Sequence, residues 1–145
     1  MRFLYGSVIL AAAALGLLAG SPASAQKVQS PQVQFVPTKQ APQAPQGLQL
    51  ACIKNAGNGA PTSDTCPVVK YQGVTTWAYS YADNRTSFAL VSYDESGKLL
   101  RNVEKQGARY IFDATSSEAN KTVMFVGQAQ GRVTVPWSEL GSATK

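Results

Sequence analysis

Residues 68–71, 74–81, 86–93, 99–104, 109–114, 122–127 and 132–137 form a succession of short β-branched and aromatic runs cut by Gly, Asn, Asp, Ser and Pro. None of them sustains a helical period, although 116–120 and 138–140 could each make a single turn. The expected fold is all-β: an antiparallel meander of about seven strands forming a small barrel or sandwich, since both hide strand edges. Residues 123–126 (Val-Met-Phe-Val) put apolar side chains on both faces and predict a central strand covered on each side.

The preceding sequence has a different character. Arg2, the apolar run 8–18 and the small residues Ala23, Ser24 and Ala25 have the pattern of a secretory signal peptide. Residues 1–25 are therefore expected to be removed, and the product to be secreted or periplasmic. The apolar run is short for a membrane span of ~20 residues, and no later segment is apolar enough to cross a bilayer. Residues 26–49 alternate Gln, Pro, Val and Ala, with Phe35 as the one aromatic. This composition buries little surface against its ordering entropy, so it predicts a disordered or polyproline-like linker. The linker would tether the domain or offer a docking peptide around 33–36.

Residues 50–145 would then be the single folded domain. Its first part, 51–66, is rich in turn residues and is bracketed by Cys52 and Cys66, the only two cysteines. In an exported chain an even count predicts one disulfide, and closing a loop of this size contributes roughly 3 kcal/mol in the chain-entropy view.

Histidine is absent. That removes the commonest general base and zinc ligand, and no Ser-His-Asp or Cys-His device can be assembled. The acids are dispersed without calcium-loop spacing, so neither metal nor cofactor is expected. The formal net charge of +5 is scattered, which suits weak attraction to anionic envelope surfaces and not nucleic-acid binding, which needs a basic stripe. A carboxylate pair drawn from Asp83, Asp94, Glu104, Asp113 and Glu139 is the enzymatic device that the composition leaves open. No motif sets two of them apart, and a non-enzymatic role is expected.

Turn chemistry sharpens one hairpin. Asp83-Asn84 suits a tight two-residue turn, which would place Tyr81 opposite Thr86, Tyr79 opposite Phe88 and Trp77 opposite Leu90. One face of this hairpin would then be aromatic and bulky, and the other small, with Ala78, Ser80, Ser87, Ala89 and Val91. The row Trp77, Tyr79, Tyr81 could stack on sugar rings, but partners such as Phe88 and Leu90 favour a core face, with Tyr81 the most exposed. Asp94 to Gly97 reads as the next turn, with Gly97 in the left-handed conformation, and 128–131 as the last.

The binding candidates are Tyr81, Asp83, Asn84 and Arg85 at this hairpin tip, together with Arg109. The tip residues either serve the turn alone or contact a partner. The matches of Asn84-Arg85-Thr86 and Asn120-Lys121-Thr122 to a glycosylation acceptor are read as chance, given a bacterial-style leader.

The motifs Tyr79-Ser80-Tyr81-Ala82-Asp83-Asn84-Arg85, Gly107-Ala108-Arg109-Tyr110, Gly127-Gln128-Ala129 and Trp137 to Leu140 resemble those of a group of small exported bacterial β-proteins. The likeness covers about 66–140 and implies a scaffold without a known activity. The segment Gly107-Ala108-Arg109-Tyr110, with the hairpin 125–135 after it, is also similar to the part of periplasmic lysozyme inhibitors that enters the enzyme cleft. That similarity implies that Arg109 is the basic residue facing the catalytic carboxylates. Gln106 stands where the family has Ser or Gly, and 126–128 lacks its Thr-Lys-Gly element.

The expected function is an exported, non-enzymatic binding or interaction module for an envelope glycan or protein. Lysozyme inhibition and a carboxylate-dependent hydrolase are the alternatives.

Overall fold

In the computed structural model, residues 29–52, 54–55, 61–62, 64–83, 85–127 and 131–141 are described. The expected signal peptide, Asn84 and most of the 128–131 turn lie outside the described residues. The expectation of an all-β fold holds, as open, sandwich-like sheets and not as a closed barrel.

The strands are β1 (Gln32–Pro37), β2 (Leu48–Leu50), β3 (Lys54–Asn55), β4 (Pro61–Thr62), β5 (Thr65–Tyr71), β6 (Val74–Tyr81), β7 (Ser87–Tyr93), β8 (Leu99–Gln106), β9 (Ile111–Ser117), β10 (Thr122–Gly127) and β11 (Gly131–Pro136). A six-stranded sheet runs β1-β5-β6-β7-β8 with β2 also against β6, and a three-stranded sheet runs β11-β10-β9. The strand expected from 74 to 81 matches β6, and 122–127 matches β10; the others differ by a few residues at their ends. Of the two expected helical turns, Trp137–Glu139 is 3-10, whereas Ser116 and Ser117 belong to β9.

Three expectations are corrected. The first concerns 26–49, read as an unstructured linker. Gln32–Pro37 pairs along its whole length with β5, from Gln32 opposite Lys70 to Pro37 opposite Thr65, and Leu48–Leu50 pairs with β6. The prolines do not prevent this. Pro31 precedes the strand and Pro37 ends it, and β1 is an edge where a missing donor leaves no inner ladder bond broken. Pro67, which also lacks an N–H, stands where the β5–β6 ladder stops at Val68 opposite Trp77. Beyond that point β2 occupies β5's place beside β6, with Leu50 opposite Tyr79.

The second correction is the register of the β6–β7 hairpin. Trp77 lies opposite Val91, Ala78 opposite Leu90, Tyr79 opposite Ala89 and Ser80 opposite Phe88. This is one residue away from the register that a two-residue turn at Asp83-Asn84 would impose, and a shift of one exchanges faces. The bulky residues are therefore divided. Phe88 and Leu90 join Val69, Ala78, Ile111, Val123, Phe125 and Trp137 between the two sheets. Trp77 and Tyr79 join Leu48, Cys52, Cys66, Val68, Val91 and Tyr93 on the outer face. The third concerns the strand covered on each side: every residue of β7 is buried, so it is β7, and not 123–126, that has both faces covered. In β10 only Val123, Phe125 and Gly127 are buried, and Met124 and Val126 on its other face are half-buried.

The outer face is covered by the segment first read as linker. Val36 and Ala41 pack on it together with Leu50, the first residue of the expected domain, and the buried Tyr79 hydroxyl donates to the Pro42 carbonyl at 3.3 Å. The expected Cys52–Cys66 disulfide is formed and buried, joining the end of this cover to β5. Ala51 then links the sheets, its N–H donating to Ala78 O at 3.2 Å and its carbonyl accepting from Ile111 N at 2.8 Å. On the inner face of the larger sheet a polar line runs across β6, β7 and β8: the Thr76 and Ser92 hydroxyls are 2.9 Å apart, and Arg101 Nε donates to Ser92 Oγ at 3.4 Å.

Removing residues up to Gly47 is expected to abolish cooperative unfolding or to lower stability by several kcal/mol. The reason is that Trp77, Tyr79 and Val91 would lose their cover, at roughly 1.5–3 kcal/mol for each large side chain exposed. A thermal melt followed by circular dichroism measures this, and a truncated chain melting like the full one would restore the linker reading. Burial, followed by the charge and hydrogen bond of Tyr93, raises the Tyr79 phenol far above its ordinary 10.0. A raised acid is stabilising below the unfolded-state value and loses that contribution as pH climbs towards the folded one. Unfolding free energy is therefore expected to fall steadily above pH 10.0, and to fall less in Tyr79→Phe, as checked by urea titration at successive alkaline pH values.

Candidate functional site

The β6–β7 turn, the β8–β9 connection and the start of the β10–β11 turn gather at one end of the molecule. Gly107 N donates to Thr86 O at 2.9 Å, which ties the first two together. The third approaches through Gly127, where an added Cβ would stand 2.7 Å from Tyr110 O and 2.8 Å from Ala108 Cα. No larger residue fits there without moving the connection, so Gly127 lets the Arg109-bearing loop close in.

Of the expected site residues, Tyr81, Asp83 and Arg85 are brought together. The Arg85 guanidinium lies over the Tyr81 ring, 3.6 Å from its centroid. Arg85 Nε donates to Asp83 at 3.0 Å from Oδ1 and 2.8 Å from Oδ2, and the Arg85 backbone N–H donates to the same Oδ1 at 3.4 Å. These contacts account for the wider turn. Asp83 folds the chain back on Arg85, and the Thr86 carbonyl bonds across to Gly107.

Glu104, first weighed as a possible catalytic acid, is the member that the tip residues did not reveal. Its Oε2 is 3.6 Å from Arg85 Nη1, and Gln106 Nε2 donates to its Oε1 at 3.3 Å. Desolvation, and then the hydrogen bond and charge of Glu104, raise the Tyr81 phenol, with Arg85 opposing. The signal for Glu104 lay in the pairing of β7 with β8, which no local motif encodes.

Arg109 sits at the same end in the β8–β9 connection. Its guanidinium is 5.0 Å from the Tyr110 ring centroid, and its Nε is buried without a hydrogen-bond partner among the described residues. The other acids are placed separately. Asp94 Oδ1 accepts from Ser96 N and Lys98 N, both at 2.9 Å, and from Ser96 Oγ at 2.6 Å. Those bonds hold its carboxyl below the ordinary range, while Gly97 is left-handed as expected, at φ 82°. Glu139 pairs with Lys105, and Asp113 is exposed on β9 opposite Val126. Among the described residues no three His, Cys, Asp or Glu side chains form a metal-binding group, and no helix is long and apolar enough to cross a membrane.

A second feature lies at the other end of β6, roughly 25 Å away by strand rise. It is an open groove of about 470 Å³ between the start of β1, the β5–β6 turn and Glu95. It contains none of the expected site residues. No family model, curated protein or solved structure shows significant similarity to the chain.

Proposed function

We propose that this is an exported, non-enzymatic binding module that contacts a protein of the cell envelope through the end bearing Tyr81, Asp83, Arg85 and Arg109. The observation that carries this reading is Arg85. It is held in one position by Asp83, Glu104 and the Tyr81 ring, yet its side chain keeps 47% of its surface open. An arginine ordered before binding loses little further entropy when a partner docks, and Arg and Tyr dominate interface hot spots. A protein partner fits better than a glycan here because Arg85 covers a face of the Tyr81 ring on which a sugar would stack. The buried disulfide and the absence of a membrane-crossing helix among the described residues agree with an extracytoplasmic, non-spanning chain.

Exposed ion pairs contribute little to stability, typically below about 1 kcal/mol. Replacing Asp83, Asn84 and Arg85 together by Ala is therefore expected to leave the thermal midpoint nearly unchanged while abolishing retention of the partner from an envelope extract. Unchanged retention would refute the reading, and a collapse of stability would assign the cluster to folding alone.

A second reading, lysozyme inhibition, is favoured by the packing of the Ala108 to Tyr110 segment on Gly127, where the β10–β11 hairpin begins. In that reading Arg109 pairs with a catalytic carboxylate, as a guanidinium does bidentately. Titration of the purified protein into a lysozyme assay should show stoichiometric inhibition that Arg109→Ala weakens; no inhibition at micromolar excess removes this reading.

A further inference from the structure

The groove at the far end of β6 is lined by residues of the chain into and along β1, with Gln32 and Gln34 among them, by the β5–β6 hairpin from Lys70 to Thr75, and by Glu95. At about 470 Å³ it falls within the size range of small-ligand sites. Its chemistry is specific. Each carboxamide both donates and accepts, as does the Thr75 hydroxyl, and among the described lining residues one cation, Lys70, is matched by one anion, Glu95. Such a lining suits a ligand whose groups also donate and accept at once, that is, a hydroxyl-rich ligand without net charge. Among the described lining residues there is no excess of positive charge for phosphate.

One wall of the groove is built on paired strands. Register places Gln32 opposite Lys70 and Lys70 opposite Thr75, so the three side chains share one face of adjacent strands. Gln72 and Gly73 form the two-residue turn between β5 and β6, with φ of 50° and 74°. Positive φ at both central positions is the requirement of a type I′ turn, where Asn, Asp or Gly is usual and Gln is strained. The longer side chain has a place to go. Its Oε1 lies where a Cβ on Gly141 would come within 2.5 Å, so the absence of a side chain at Gly141 makes room for the Gln72 amide. On the other side Glu95 approaches Gly73, its Oε1 3.3 Å from where a Cβ would be. Tyr71, which also lines the groove, is steadied by Trp137, with ring centroids 5.8 Å apart.

We propose that this groove binds a short, uncharged oligosaccharide, held by the Gln32, Gln34 and Gln72 carboxamides and the Thr75 hydroxyl. The site is independent of the loop end that bears Arg85 and goes beyond the function assigned to that end. The test is an NMR titration of the ¹⁵N-labelled protein with the N-acetylglucosamine trimer, and with the glucose trimer, to millimolar concentration. Saturable shifts of the Gln32, Gln34 and Gln72 side-chain amides and of the 70–75 backbone are expected with at least one of the two sugars. Gln72→Gly keeps the positive φ and removes the amide, so it is expected to fold with equal or greater stability and to bind roughly tenfold more weakly, the loss of about 1.4 kcal/mol. The variant lacking the Asp83, Asn84 and Arg85 side chains should bind the sugar as the parent does, which separates failure of this site from failure of the loop end. No saturable shift with either trimer, shifts confined to 81–86 and 107–110, undiminished affinity in Gln72→Gly, or shifts with an unstructured peptide in place of sugar would each overturn the proposal.

Discussion

The central hairpin of this protein has no face to give to water. Trp77 and Tyr79 point one way from β6, Phe88 and Leu90 point the other way from β7, and both sets are buried. A sheet that is apolar on both sides needs two covers, because exposed apolar area is unfavourable by roughly 25 cal/mol per Å². One cover is the β9–β11 meander. The other is the Gln/Pro-rich stretch before Leu50, which adds β1 and β2 to the sheet and, together with Leu50, lays Val36 and Ala41 over Trp77 and Tyr79. The Cys52–Cys66 disulfide and the Tyr79 to Pro42 hydrogen bond fasten that cover in place.

Once both faces are occupied, polar chemistry is confined to the ends of the strands. The two ends differ. At one, three connections converge and present charge, with Arg85 stacked on Tyr81 and bridged to Asp83 and Glu104. At the other, the start of β1 and the Gln72-Gly73 turn enclose a groove lined by amides. A chain that fastens its own N-terminal segment over the sheet thus separates a charged end from an amide-lined recess by the length of β6.

Much of this was legible locally. Alternation and turn residues marked β6 and β10 to the residue, Gly97 in its left-handed turn followed from Asp94 to Gly97, and two cysteines in an exported-type chain implied their pairing. The hairpin tip was readable as a cluster of turn residues, but its register was not. Asp83-Asn84 favours a tight turn, and the competing bond from Gly107 to the Thr86 carbonyl widens it. That partner is contributed by another strand. The role of residues 29–49 was hidden for a related reason: composition states how much surface a segment can bury alone, and β1 derives its order from the backbone donors and acceptors of β5.

By itself the sequence determined the strand-rich class, the disulfide pair, the lack of any histidine-based chemistry and the residues that crowd the hairpin tip, since these depend on residue identity and on spacing over a few positions. Only the tertiary structure decided which way each aromatic faces, that the Gln/Pro segment is a cover, that Glu104 completes the Arg85 cluster and that Gly141 makes room for Gln72. Each of those depends on a contact between residues far apart in the chain. A one-residue change of register, which no local preference specifies, is enough to reverse the faces of a strand.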